Sequence, residues 1–173
     1  MSTAYPIEMG DLLLGMKQGA KADQTHMPYL SDVRIRMGPW YPAPWGPYTQ
    51  YLTPLGSPET EVAEHGTSSL KYAVHMVMIE NVIAINDPGN EGQIVGRSGA
   101  NVGITEFVAD TIAFYETNLL GLVDGTMLEA GEPPTCEAPA DCYAVVQTED
   151  PNIWLLSARL LYRARTVPFV RTG

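Results

Sequence analysis

A chain of 173 residues fits one domain over 1–173, and a domain of that size buries roughly 70% of its unfolded surface without staples. Hydrophobic residues at 45% against 17% charged argue against global disorder, while 14 prolines and 16 glycines require long irregular connections. Ten basic against twenty acidic residues give a formal charge of −10, which repels a phosphate backbone and argues against sequence-reading nucleic-acid binding.

The opening MSTAYPIEMGDLLLG has no basic region before its short apolar patch, and no run in the chain approaches the ~18 apolar residues that span a bilayer; a soluble, unsecreted protein without a membrane partner is expected. Over 7–22, Ile7, Leu12, Leu13, Leu14 and Met16 predict a short helix, weakened by glycines at 10, 15 and 19. From Ser31 to Met37, Val33, Ile35 and Met37 alternate with Asp32, Arg34 and Arg36, the period-2 pattern of a half-buried strand.

Residues 39–69 follow with six prolines, which remove backbone donors and fix φ. Most of this stretch cannot be a central strand, although YTQYL at 48–52 suits a short one. An extended loop of this length is usually functional or disordered, and Trp40, Tyr41, Trp45, Tyr48 and Tyr51 argue against disorder. Two readings stand: the aromatics fold back on the domain's own surface, or Trp40, Tyr41, Trp45 and Tyr48 order against another subunit, where Trp and Tyr are enriched.

LKYAVHMVMIENVIAI, 70–85, is apolar on both faces and predicts a central strand covered on both sides. NDPGNEGQ, 86–93, has the composition of a turn. A glycine-rich run then leads into a helix in which Ile104, Phe107, Val108, Ile112, Tyr115 and Leu119 recur at three- and four-residue steps. Asn101 or Ser98 can cap its start and Gly121 its end. Burying six such side chains contributes on the order of 10 kcal/mol before entropy, so the helix belongs to a core. After an irregular stretch, CYAVVQT and NIWLLSARLLYRARTVPFV read as strands joined at Glu149–Asn152. In the last strand Trp154, Leu156, Ala158, Leu160 and Tyr162 form a core face, and Leu155, Ser157, Arg159, Leu161, Arg163 and Arg165 the other. The fold class expected is α+β, a mainly antiparallel sheet with about two helices packed on one face and a long Pro-rich loop at 39–69.

Nothing in these patterns requires catalysis. The glycine run GNEGQIVGRSGANVG lacks the Gly-Lys-Ser/Thr ending of a P-loop, and Gly96-Arg97-Ser98-Gly99-Ala100 is not a Gly-x-Ser-x-Gly elbow. His26, His65 and His75 lie far apart without a second ligand at metal spacing, and His75 reads as a satisfied core or interface histidine. No catalytic, cofactor-binding or metal residue is assigned. Cys136 and Cys142 read as free thiols, with a local disulfide as the alternative. Arg159, Arg163, Arg165 and Arg171, four of the ten basic residues, fall in the last fifteen positions. They admit three readings: a solvated strand face, salt bridges to carboxylates of another copy, or contact with passing nucleic acid.

The C-terminal half, from LKYAVHMVMI through GITEFVADTIAFYETNLLGL to NIWLLSARLLYRARTVPFVR, resembles the tail terminator (tail completion, minor tail) proteins of long-tailed bacteriophages. The likeness covers about a hundred residues and is one of pattern: a strand, a helix of the form Gly-Ile-x-x-Phe-x-x-x-Ile ending in Asn-x-Leu-Gly-Leu, and a terminal hairpin ending Arg-x-x-x-Pro-Phe-Val. It implies a virion subunit, made in the host cytoplasm, that assembles as a ring, usually a hexamer, on the head-proximal end of the tail tube. Such a ring ends tube polymerisation and docks to the head connector, with the tube protein and connector as partners and DNA passing its lumen. A head–tail connector or tube-like protein shares rings and acidity with this reading. A small hydrolase or nucleotide-binding enzyme using the Gly96–Gly103 turn is the alternative from another class.

Overall fold

The computed structural model describes residues 5–30, 35–38, 47–61, 70–87, 89, 91–96, 102–117 and 133–170. In chain order these give α1 (Met9–Ala22), β1 (Ile35–Met37), β2 (Tyr48–Gly56), β3 (Glu59–Glu61), β4 (Leu70–Ile85), α2 (Glu91–Val95), α3 (Ile104–Thr117), β5 (Thr135–Glu137), β6 (Tyr143–Gln147), β7 (Trp154–Arg165) and β8 (Phe169–Val170). The expected α+β class holds: the sheet runs β1-β2-β4-β7-β5, with β3 and β8 on β4 and β6 on β7. Its described pairings are antiparallel except β1 with β2.

The long strand β4 is the spine, flanked by β2 over Tyr48–Gly56 and by β7 along twelve residues from Val74↔Arg165 to Ile85↔Trp154. Alternation fixes what each face carries. Val77, Ile79, Ile83 and Ile85 of β4 and Leu156, Ala158, Leu160 and Tyr162 of β7 share one core with Leu12, Leu13 and Met16 of α1 and Ile104, Phe107, Val108, Phe114 and Tyr115 of α3. Both long helices therefore pack on one face of the sheet, as expected. On the opposite face Tyr51, Val82 and Leu155 form a second, small buried cluster, so the arginine side of β7 is not uniformly solvated.

The 48–52 strand is longer than the prolines suggested, because Pro54 sits where its missing donor costs nothing. The Ala84 N–H donates to the Pro47 carbonyl, so the odd residues of β2 bond to β4 and the even ones face away. The nitrogen of Pro54 points to the side where β1 reaches only Gln50–Leu52. Part of the 39–69 segment is thus sheet rather than loop. The expected turn at 86–93 gives way at Glu91 to the short helix α2, closed by Gly96, whose N–H donates to the Gly92 carbonyl at 2.8 Å and whose φ is 78°.

A buried polar cluster keys α3 to the sheet. Gln50, Asn81, Thr111 and Tyr115 are each fully buried. The Gln50 amide donates to Asn81 Oδ1 (2.9 Å), Asn81 Nδ2 to Thr111 Oγ1 (2.9 Å), Thr111 Oγ1 to the Phe107 carbonyl (2.7 Å), and Tyr115 Oη to Gln50 Oε1 (2.7 Å). Each polar atom gains only about 1 kcal/mol from its bond, but an unpartnered one would cost more, so the cluster fixes one seating of the helix.

Candidate assembly surface

Two glycines of the run, Gly96 and Gly103, are explained by backbone contact. A Cβ on Gly103 would fall 2.7 Å from the Ile94 carbonyl oxygen and the Val95 carbonyl carbon, and nearer still to the Gly96 nitrogen. The end of α2 and the start of α3 cross where only glycine fits. The positive end of α3 is dressed by this chain's own groups: Gly103 N–H points at Glu106 Oε2 (3.4 Å), and Tyr48 Oη accepts from Val102 N–H and lies 3.0 Å from the Val102 carbonyl, to which it donates. Thr105 Oγ1 ties the crossing to the Ile94 carbonyl at 2.9 Å. Arg97 and Ser98 lie outside the described residues, as do the proposed caps at 98 and 101 and the helix residues beyond 117.

Of the residues singled out for contact with another subunit, Trp40, Tyr41, Trp45 and Arg171 also lie outside the described residues. Tyr48 does not project: its ring packs against Tyr29 (4.9 Å between centroids) and Phe107 (6.1 Å) within the domain. Alternation along β7 places Arg159, Arg163 and Arg165 together on the face away from the helices. Arg159 Nε lies 3.3 Å from Oε1 of Glu80, its cross-strand partner, whose side chain is only 5% exposed. The Arg165 guanidinium sits 3.8 Å over the Tyr72 ring, a cation–π contact. Arg163 is exposed.

His75 is fully buried, with Nε2 2.7 Å from the Ile7 carbonyl and Nδ1 2.6 Å from Ser57 Oγ. That pairing suits a neutral ring donating from Nε2 and accepting at Nδ1, as expected of a satisfied core histidine. Burial holds its pKa below the ordinary value, against the raising effects of the Ile7 bond and of Glu8. Cys136 and Cys142 are free and buried rather than bridged. Burial, then the charges of Glu116 and Glu137, push the Cys136 thiol up to about 12, so it is protonated and inert at neutral pH. Among the described residues no three His, Cys, Asp or Glu side chains gather as a metal site. No described helix is long and apolar enough to cross a membrane.

The feature that reading the sequence missed is the β6 edge. All five residues of Tyr143–Gln147 are exposed, with Tyr143 at 50%, Val145 at 52% and Val146 at 41%, and among the described residues β6 pairs only with β7. Register puts Tyr143, Val145 and Gln147 opposite Ala158, Leu156 and Trp154, on the helix side of the sheet. There the end of α2 and the start of α3 face the sheet across an apolar groove of about 420 Å³ lined by Ile94, Ile104, Tyr143, Val145 and Leu156, among others. The signal was present: YAVVQ has neither charge nor proline, the two usual protections of an edge strand.

The edge also offers backbone groups. The Arg159 N–H donates to the Cys142 carbonyl and the Thr148 N–H to the Ile153 carbonyl, so even-numbered residues bond to β7. Tyr143, Val145 and Gln147 therefore turn their N–H and C=O outward. An exposed apolar edge of this kind is a template for another strand and a surface that buries well in an assembly.

No family model matches the chain, and no curated protein matches it. Among solved structures, a chain of the virion of a native gene transfer agent particle is similar over 91% of this chain and 95% of its own, at 14% identity and a TM-score of 0.42. A second solved chain is similar over 91% of this chain and 96% of its own, at 13% identity and a TM-score of 0.37.

Proposed function

We propose that this protein is a structural subunit of a long-tailed phage virion, of tail terminator type, acting through assembly rather than catalysis. The observation that carries the reading is the unprotected apolar edge of β6 beside its groove, a surface whose exposure is costly until another chain covers it. Gly96 and Gly103, the two described glycines at the ends of the turn that a nucleotide or a nucleophile would need, press on each other's backbones and on the Glu106 carboxylate, a steric demand that accounts for them without a ligand and so favours the structural reading over the enzymatic one. The pattern of β4, α3 and β7 that resembles the tail terminators supports the more specific role. In that role copies form a ring, a hexamer on the resemblance, which ends the tube, receives the head connector and passes DNA through an acidic lumen.

The test is to add the purified chain to tail tube protein as it polymerises and to image the tubes. Tubes capped by a ring and arrested in length support the role. Tubes that lengthen unchanged, with no added density at either end, refute it.

A further inference from the structure

The sheet has two ends, and they match. β6 runs antiparallel to β7, β7 to β4 and β4 to β2, whereas β1 runs parallel to β2. β1 and β6 therefore lie at opposite ends of the sheet and point in opposite directions. Among the described residues β1 pairs only with β2. The Gly38 N–H donates to the Leu52 carbonyl, so on this parallel ladder Ile35 and Met37 are the residues that turn their N–H and C=O away from β2.

We propose that copies of this chain join edge to edge, with β1 of one copy adding to β6 of the next as an antiparallel strand. The proposal rests on the assembly reading above and names the surface that would carry it. A displacement along the sheet keeps strand directions, so β1 of the arriving copy meets β6 in the same antiparallel sense that β7 does. Side chains then agree in face. Ile35 and Met37 pair with Gln50 and Leu52, both even residues of β2 on the helix side, the side on which Tyr143 and Val145 border the groove. Met37, 42% exposed at its own edge, is an unbranched apolar side chain suited to fill the groove of the next copy.

Charge points the same way. A chain of net −10 repels its own copies, yet neither edge contains an acidic residue: β6 is Tyr-Ala-Val-Val-Gln and β1 is Ile-Arg-Met. The acidic residues nearest β6, Asp141, Glu149 and Asp150, lie beyond its two ends and outside the stretch that would pair. Joining unlike edges is a head-to-tail contact, which closes into a ring when the rotation per step divides a full turn without rise. Pairing β6 with β6 would instead stop at a dimer.

Val145→Pro removes one outward N–H and leaves the bonds to β7, which run through Ala144 and Val146; Val145→Thr keeps the donor and the β-branched shape. By light scattering, the proline variant is expected to lose the oligomer and run as a folded monomer, with unchanged circular dichroism, while the threonine variant assembles as the wild type does. Met37→Cys chains mixed with Tyr143→Cys, Val145→Cys or Gln147→Cys chains under mild oxidation are expected to give a covalent pair in at least one mixture and none from Met37→Cys alone. A Val145→Pro chain that still assembles, or no cross-link with any of the three partners, overturns edge pairing while leaving the assembly reading in place. A wild-type chain that stays monomeric overturns both.

Discussion

Beneath α3 the protein is polar where interiors are usually apolar, and along β6 it is apolar where surfaces are usually polar. Gln50, Asn81, Thr111 and Tyr115 are buried and bonded to one another, whereas Tyr143, Val145 and Val146 are about half exposed with no described cover. The first arrangement is complete within one chain. The second is incomplete by the same physics, because apolar surface gains roughly 25 cal/mol per Å² when it is removed from water. The contrast separates what holds the subunit together from what is left for a neighbour.

The largest effect is expected inside. Asn81→Ala takes from the buried Gln50 amide its 2.9 Å acceptor and from the Thr111 hydroxyl its 2.9 Å donor, and should cost about 3 kcal/mol in urea unfolding. If it costs less than about 1 kcal/mol, the cluster is not what seats α3. Gly103→Ala forces the α2–α3 crossing apart and should cost about 2 kcal/mol. On the outer side of the comparison, Val145→Lys should change the stability of the monomer by no more than about 0.5 kcal/mol while weakening assembly, since its side chain stands at the open edge.

A smaller, pH-dependent effect belongs to His75. Its folded-state pKa is lowered by burial, so the unfolded chain binds the proton more readily. The contribution is fully present above the unfolded value of about 6.5 and is lost as pH falls below that value and through the lowered one. Stability of the wild type should therefore drop as pH falls below about 6.5, by less than about 1.4 kcal/mol per pH unit for one proton. His75→Gln should flatten that slope, and an unchanged slope would assign it to other groups.

Much of the frame was legible because periodicity is strong where burial is one-sided or complete. β4, α3 and β7 fall where their patterns put them, as do α1 and the Glu149–Asn152 turn. Other parts were hidden by local signals that tertiary context overrides. Pro54 looked like a strand breaker, yet it sits on the side of β2 that β4 does not use. The glycines before α3 matched no ligand motif and had no role legible in the sequence, and two of them answer a steric demand visible only once α2 and α3 cross. Phe114 and Thr111 lay outside the chosen helical stripe, and both are buried. The candidate surface was the least legible part: Tyr48, named for a contact with another chain, has its ring packed within the domain, and although the patterns at 31–37 and in CYAVVQT read as strands, alternation alone does not say which strands end at a sheet edge.

Assembly is the claim on which the rest depends, and the molar mass of the purified wild-type chain in solution tests it most directly. Light scattering over a concentration series should give a ring-sized multiple of the 18.9 kDa subunit, a multiple that holds on dilution. A mass equal to one chain at every concentration, with no change when tail tubes are added, would contradict the account.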